Sequence, residues 1–139
     1  MSTVFTKDAV VCTITKNPTY PRKWWTDRYN QYFRETADGG TATYDNGPNI
    51  IKGILVINNV PKDEVDNATT GLRKFLRDTV IFQQNSFVIT PPTNTDLGKG
   101  DNTNITVFYN GGPTLDGVFT FIRPGTFYDI VLPYREDVS

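Results

Sequence analysis

A mainly β fold, an antiparallel β-sandwich or barrel with one packed α-helix, follows from three features of this 139-residue sequence. Short apolar runs recur between turn signals rich in Gly, Pro, Asn and Asp. Only residues 63–80 carry apolar positions at helical spacing. The order of strands, one helix, then strands sets a single helix against an antiparallel sheet. The length suits one domain over 1–139, with early hairpins at 10–60, the helix at 63–80, C-terminal strands at 86–132 and a polar tail at 133–139. Hydrophobic residues make up 37% and aromatics 13%, enough to bury one core, so the chain is not a disordered tail.

Residues 10–15, built on Val10-Val11-Cys12-Thr13-Ile14, read as the first strand, and Asn17-Pro18 and Pro21 then break regularity. Residues 20–33 hold Tyr20, Trp24, Trp25, Tyr29, Tyr32 and Phe33, a local excess of aromatics. Residues 29–36 and 41–44 flank the turn signal Ala37-Asp38-Gly39-Gly40 and form the early hairpin. Asp45-Asn46-Gly47-Pro48 is a second sharp turn. Residues 49–60 are the longest strand. Ile50, Ile54 and Val56 alternate with Ile51, Leu55 and Ile57, which predicts a strand covered on both faces.

Pro61-Lys62-Asp63-Glu64 opens the helix, and Val65, Ala68, Leu72, Phe75, Leu76, Thr79 and Val80 supply its apolar stripe. Asp63 and Glu64 suit the positive end of the helix dipole, and Arg73, Lys74 and Arg77 suit the other. Gly71 weakens the middle by about 1 kcal/mol relative to Ala, so the helix depends on packing against a sheet. Residues 86–90 form a strand stopped by Pro91-Pro92, and residues 93–103 form a polar loop. Strands follow at 104–110, 115–122 and 126–132, and Pro133 ends the last. No internal repeat stands out.

The chemistry of the chain is sparse. There is no histidine, which removes Ser-His-Asp and Cys-His catalysis and His-containing zinc sites. The single cysteine, Cys12, lies in an apolar run and reads as a small buried hydrophobe; it allows no internal disulfide and fits folding in a reducing compartment. Gly98-Lys99-Gly100 is too short for a phosphate-binding loop. Asp27 and Glu35, beside the aromatic cluster, are the candidate pair for glycoside hydrolysis, set against ordinary surface carboxylates. Asp96, Asp101, Asn102 and Asn104 suggest an oxygen-rich calcium loop, but their spacing departs from the EF-hand order and Lys99 repels a cation, which favours a turn-rich connection. No metal and no cofactor is expected. The formal charge is −1, from 14 basic and 15 acidic residues, without the basic stripe of a nucleic-acid reader. Arg22-Lys23 reads as a solvated loop. The first 20 residues lack a secretory core, and no apolar run approaches the ~20 residues of a membrane span.

The aromatic stretch has two readings, core packing or an interface anchor. Adjacent residues of a strand point to opposite faces, so Trp24 and Trp25 send one ring outward or against a partner. The interface candidates are Trp24, Trp25, Tyr29, Tyr32, Phe33, Arg34 and Tyr44.

From Ile51 to Arg135 the order of elements resembles the minor tail protein M family of long-tailed bacteriophages, and is similar to the tail-tube-like domain of distal tail proteins. The resemblance is carried by the strand Ile54-Leu55-Val56-Ile57, the Pro-Lys-Asp-Glu helix start, the stripe with Leu72 and Phe75-Leu76, and a Ser-Phe-x-x-Thr-Pro-Pro segment at Ser86, Phe87, Thr90, Pro91 and Pro92. Ile105-Thr106-Val107 and Tyr128-Asp129-Ile130-Val131-Leu132 follow in the same order. The first 50 residues match poorly.

The resemblance implies a phage tail-tube-like sandwich with a flanking helix, which joins sheets with its neighbours in a ring. Such a subunit is a structural homo-oligomer, a hexameric ring at the tail tip or baseplate of the virion, assembled in the host cytoplasm. Its partners are tail tube and tail hub proteins. DNA is only passing cargo in the lumen, and no membrane is involved. The hairpin at 29–44 is the expected inter-subunit strand, with Asn30, Gln31, Arg34 and Glu35 towards the channel, and the loop at 93–103 is expected to reach a neighbour. A tail tube or terminator protein shares the fold. A small carbohydrate- or host-surface-binding module is the rival from another class, and an enzyme is not expected.

Overall fold

The computed structural model describes residues 2–18, 25–28, 31–35, 37, 39–45, 50–122 and 126–138. The chain is mainly antiparallel β. Its strands are β1 (Thr3–Lys7), β2 (Val10–Ile14), β3 (Trp25–Arg28), β4 (Gln31–Glu35), β5 (Thr41–Asp45), β6 (Ile50–Pro61), β7 (Phe87–Thr90), β8 (Ile105–Tyr109), β9 (Phe119–Ile122) and β10 (Phe127–Glu136). The main sheet runs β2-β1-β7-β8-β10-β6-β3, and β9 pairs with the first part of β10. It curls into a half-barrel. β4 and β5 form a separate two-stranded sheet. Short helical segments follow β6: α1 (Lys62–Asp66), α2 (Leu72–Lys74) and a π-helical turn at Phe75–Thr79.

Alternation sorts the core from the surface. On β10, Tyr128, Ile130, Leu132, Tyr134 and Glu136 are buried, and the intervening residues are not. On β6, Ile51, Leu55 and Ile57 face inward. The phase then slips. Asn59 takes the left-handed conformation at φ 58° and its N–H donates to Asp129 Oδ1 at 3.1 Å. This bulge returns Val60 to the core opposite Tyr128. Phe5, Phe75 and Phe87 meet under β1 and β7 with ring centroids 5.8 to 6.4 Å apart. Each such buried side chain stabilises the fold by roughly 1.5–3 kcal/mol.

Three expectations change. The sequence predicts one helix over 63–80, but residues 67–71 interrupt it. The Asn67 side-chain oxygen accepts the N–H groups of Thr69 and Thr70 at 2.8 and 3.0 Å, a local turn that competes with the helix. Gly71 packs against the end of α1, where an added Cβ would come within 2.5 Å of the Val65 carbonyl oxygen. Val65, Leu72, Phe75, Leu76 and Val80 are nonetheless all buried, whereas Ala68 is exposed. The stripe thus predicts most of the buried face, with Ala68 and the half-buried Thr79 as exceptions, and the continuity of the helix wrongly.

The second difference is at Pro133, which does not end the last strand. It sits where the neighbour of β10 changes from β9 to β8, so no ladder partner requires its missing N–H, while its carbonyl accepts from Asn110 N at 2.9 Å. The strand runs on to Glu136, so most of the expected polar tail is sheet with a fully buried Tyr134. Third, the outer face of β6 is only partly covered: Val56 is half-buried, but Ile54 remains 45% exposed. Residues 2–9, which the sequence reading left unassigned, supply β1, joined to β2 by a tight turn with Asp8 at φ 54°.

Candidate assembly surface

The curled sheet has two margins, β2 and β3. Across the two-residue turn, Lys7 and Val10 face each other as a hydrogen-bonded pair, and the pattern alternates along the hairpin. Phe5–Cys12 and Thr3–Ile14 are then bonded pairs as well. Val11 and Thr13 therefore turn their N–H and C=O groups away from β1, along the margin. Thr15 would do the same, but Glu64 of α1 closes that end: Thr15 N donates to Glu64 Oε1 at 2.6 Å and the Thr15 hydroxyl donates to Oε2 at 3.0 Å. Val10 and Val11 are 43% and 52% exposed. The stretch from Val10 to Thr15 carries no charge and no proline, the devices that blunt a free edge. At the opposite margin, β3 pairs with β6 alone among the described residues.

The outer face of the sheet adds apolar surface. Ile54 pairs with Pro133 and Val56 with Val131, and Val131 is 38% exposed. These residues form one row across β6 and β10.

The predicted interface residues separate into groups. Trp24 and Tyr29 lie outside the described residues, as does Asn30. Trp25 is in β3, paired with Gly53 of β6. Tyr32, Phe33 and Arg34 in β4 pair with Tyr44, Thr43 and Ala42 of β5, and Gln31 and Glu35 with Asp45 and Thr41. The early hairpin therefore exists as expected, but as a sheet of its own. The motif residues are architectural. Phe87 packs edge-on against Phe75, Thr90 ends β7 opposite Val4, Pro91 and Pro92 are buried, and Ser86 is half-buried. Asp27 stands in the main sheet and Glu35 in the separate hairpin, so the topology does not pair these carboxylates in one element.

The loop at 93–103 is folded onto the body of the protein. Asp96 Oδ1 accepts from Gly98 N and Gly100 N at 2.7 and 3.1 Å, and Asn94 N donates to Asn102 Oδ1 at 2.9 Å. Leu97 is buried, and its carbonyl accepts from the Tyr134 hydroxyl at 2.9 Å. Lys99 Nζ lies 2.5 Å from Glu136 Oε2. Asp96 thus organises a turn. Burial, reinforced by the charge of Glu64, pushes the Cys12 thiol up to about 12, so it stays protonated and unreactive.

Two surface features escaped sequence reasoning. The β2 margin depends on β1, whose alternation over five residues is too short to stand out. Arg135 and Lys52, far apart in sequence, become cross-strand neighbours only through the β6–β10 register. No protein-family model and no curated protein matches the chain.

Proposed function

We propose that this chain is a structural ring-forming subunit of a bacteriophage tail tip or baseplate, which joins the end of the tail tube to the hub as a homohexamer. The observation that supports the reading is the open half-barrel, with β2 and β3 at opposite margins and apolar side chains exposed along β2. A margin of this kind invites pairing with another strand. When the two margins belong to one chain, head-to-tail pairing propagates from copy to copy and closes into a ring if the rotation allows. The sheets then form one continuous wall around a lumen, through which DNA passes without being read. The function is served by shape and strand pairing and calls for no catalytic group.

Native mass spectrometry and negative-stain microscopy test this reading. The expected result is a closed ring of about six copies, formed by the chain at high concentration or on tail-tube ends. Thr13→Pro, which removes an outward N–H from β2, is expected to leave monomers. A chain that stays monomeric under both conditions, or a T13P variant that assembles like the parent, overturns the reading.

A further inference from the structure

On the outer face of the sheet, Arg135 of β10 stands directly opposite Lys52 of β6 on one side and Phe108 of β8 on the other. Arg135 is exposed and Lys52 half-buried, and among the described residues neither takes part in an ion pair. Like charges directly opposite in an antiparallel pair repel each other. An anion seated between them removes that repulsion. Beside this row opens a cleft of about 410 Å³, lined by Gln83, Phe108, Asn110, Arg135 and Asp137 together with strand backbone. Its size falls in the range of small-ligand sites.

We propose that this cleft binds an acidic sugar, a monosaccharide unit carrying a carboxylate. Arg135 takes the carboxylate in a forked contact, and Lys52 adds its charge. Phe108 offers apolar aromatic surface for the sugar ring. The amides of Gln83 and Asn110 meet the hydroxyls, which both donate and accept. One carboxylate decides against the other polyanion that two cations and a ring would suit. Asp137 sits at the wall, where its charge repels a nucleic-acid backbone. The overall charge of −1 points the same way. This inference does not depend on the ring reading and applies to the isolated chain.

The test is titration calorimetry with saturation-transfer NMR on the full chain. The probes are N-acetylneuraminate and glucuronate, with glucose as the uncharged control, inorganic phosphate as the bare anion and a short single-stranded DNA. Saturable binding of an acidic sugar is expected, with glucose weaker by about tenfold or more, the contribution of a charge-assisted hydrogen bond. Arg135→Gln is expected to lower acidic-sugar affinity by a similar factor with thermal unfolding unchanged, because Arg135 is exposed. Phe108→Ala is expected to weaken both acidic sugars. The proposal is overturned if neither acidic sugar binds, if glucose or phosphate binds as well as they do, if the DNA binds more tightly, or if R135Q leaves the affinity unaltered.

Discussion

The hydroxyl of Tyr128 donates to Asp66 Oδ2 at 2.8 Å and so ties the last residue of α1 to strand β10. Arg73 Nε completes the cluster at 2.9 Å from Asp66 Oδ1, with its guanidinium 4.8 Å from the ring centroid of Phe119 and 5.6 Å from that of Tyr128. Both halves of the broken helix are anchored to the sheet by this one carboxylate.

Tyr128→Phe is expected to cost about 1.5 kcal/mol or slightly more, the contribution of a hydrogen bond to a charged group. The effect should depend on pH. Partial burial opposes ionisation of Asp66, but the hydrogen bonds from Tyr128 and Arg73, with the charges of Arg73 and Lys62, outweigh it and hold the carboxyl below its ordinary value. The folded value is depressed, so the stabilisation is complete above the unfolded value of about 4 and is lost as pH falls through the folded one. Urea unfolding of parent and Y128F at neutral pH and at successively lower pH should show the two curves converging in acid.

Gly71→Ala separates the two descriptions of residues 63–80. In a continuous helix the change stabilises by about 1 kcal/mol. In the observed break the new Cβ meets the Val65 carbonyl oxygen at 2.5 Å and Asn67 N at 2.7 Å, both backbone atoms. The expected outcome is a loss of about 2 kcal/mol or more, the scale of a core steric conflict, seen as a lower urea midpoint.

Lys99 holds down the loop at 93–103 through Glu136, whose side chain is only 8% exposed. Lys99→Met leaves that carboxylate without its cation, and a loss of roughly 2–3 kcal/mol is expected. The double variant K99M/E136Q removes the charge as well and should recover much of the loss. Chemical denaturation of the two variants measures the difference, and amide exchange across 93–103 should rise in the single variant first.

Ile81 is β-branched, exposed and held at φ 57°, followed by Phe82 at φ 55°. This pair ends the helical segment: Phe82 N donates to the Leu76 carbonyl at 2.9 Å, and Asn85 N donates to that of Val80 at 3.0 Å. A β-branched residue in this region is strained. Ile81→Gly is therefore expected to raise stability by about 1 kcal/mol, measured as a higher melting temperature, although glycine is ordinarily the less stabilising residue.

Much of the architecture was legible because it rests on local patterns. The hairpin at β4 and β5 follows from its turn residues, and β7 from a short apolar run stopped by two prolines. The helical stripe identified most of the residues that reach the core from this segment. The interruption at 67–71 was not legible in the same way. An Asn side chain that captures two backbone N–H groups, and a glycine pressed against a carbonyl, are properties of a particular packing and leave no periodic trace. Pro133 misled for a related reason: a proline is tolerated in a central strand only where the neighbouring ladder changes hands, and that place is set by β8 and β9.

Sequence alone determined the fold class and most of the buried face of the helical segments, because alternation, helical spacing and turn propensity act within a few residues of one another. Tertiary structure decided which strands stand at the margins, which face of β6 stays uncovered, and that Arg135, Lys52 and Phe108 share one row. Those relationships join residues dozens of positions apart, and only the register of paired strands brings them together.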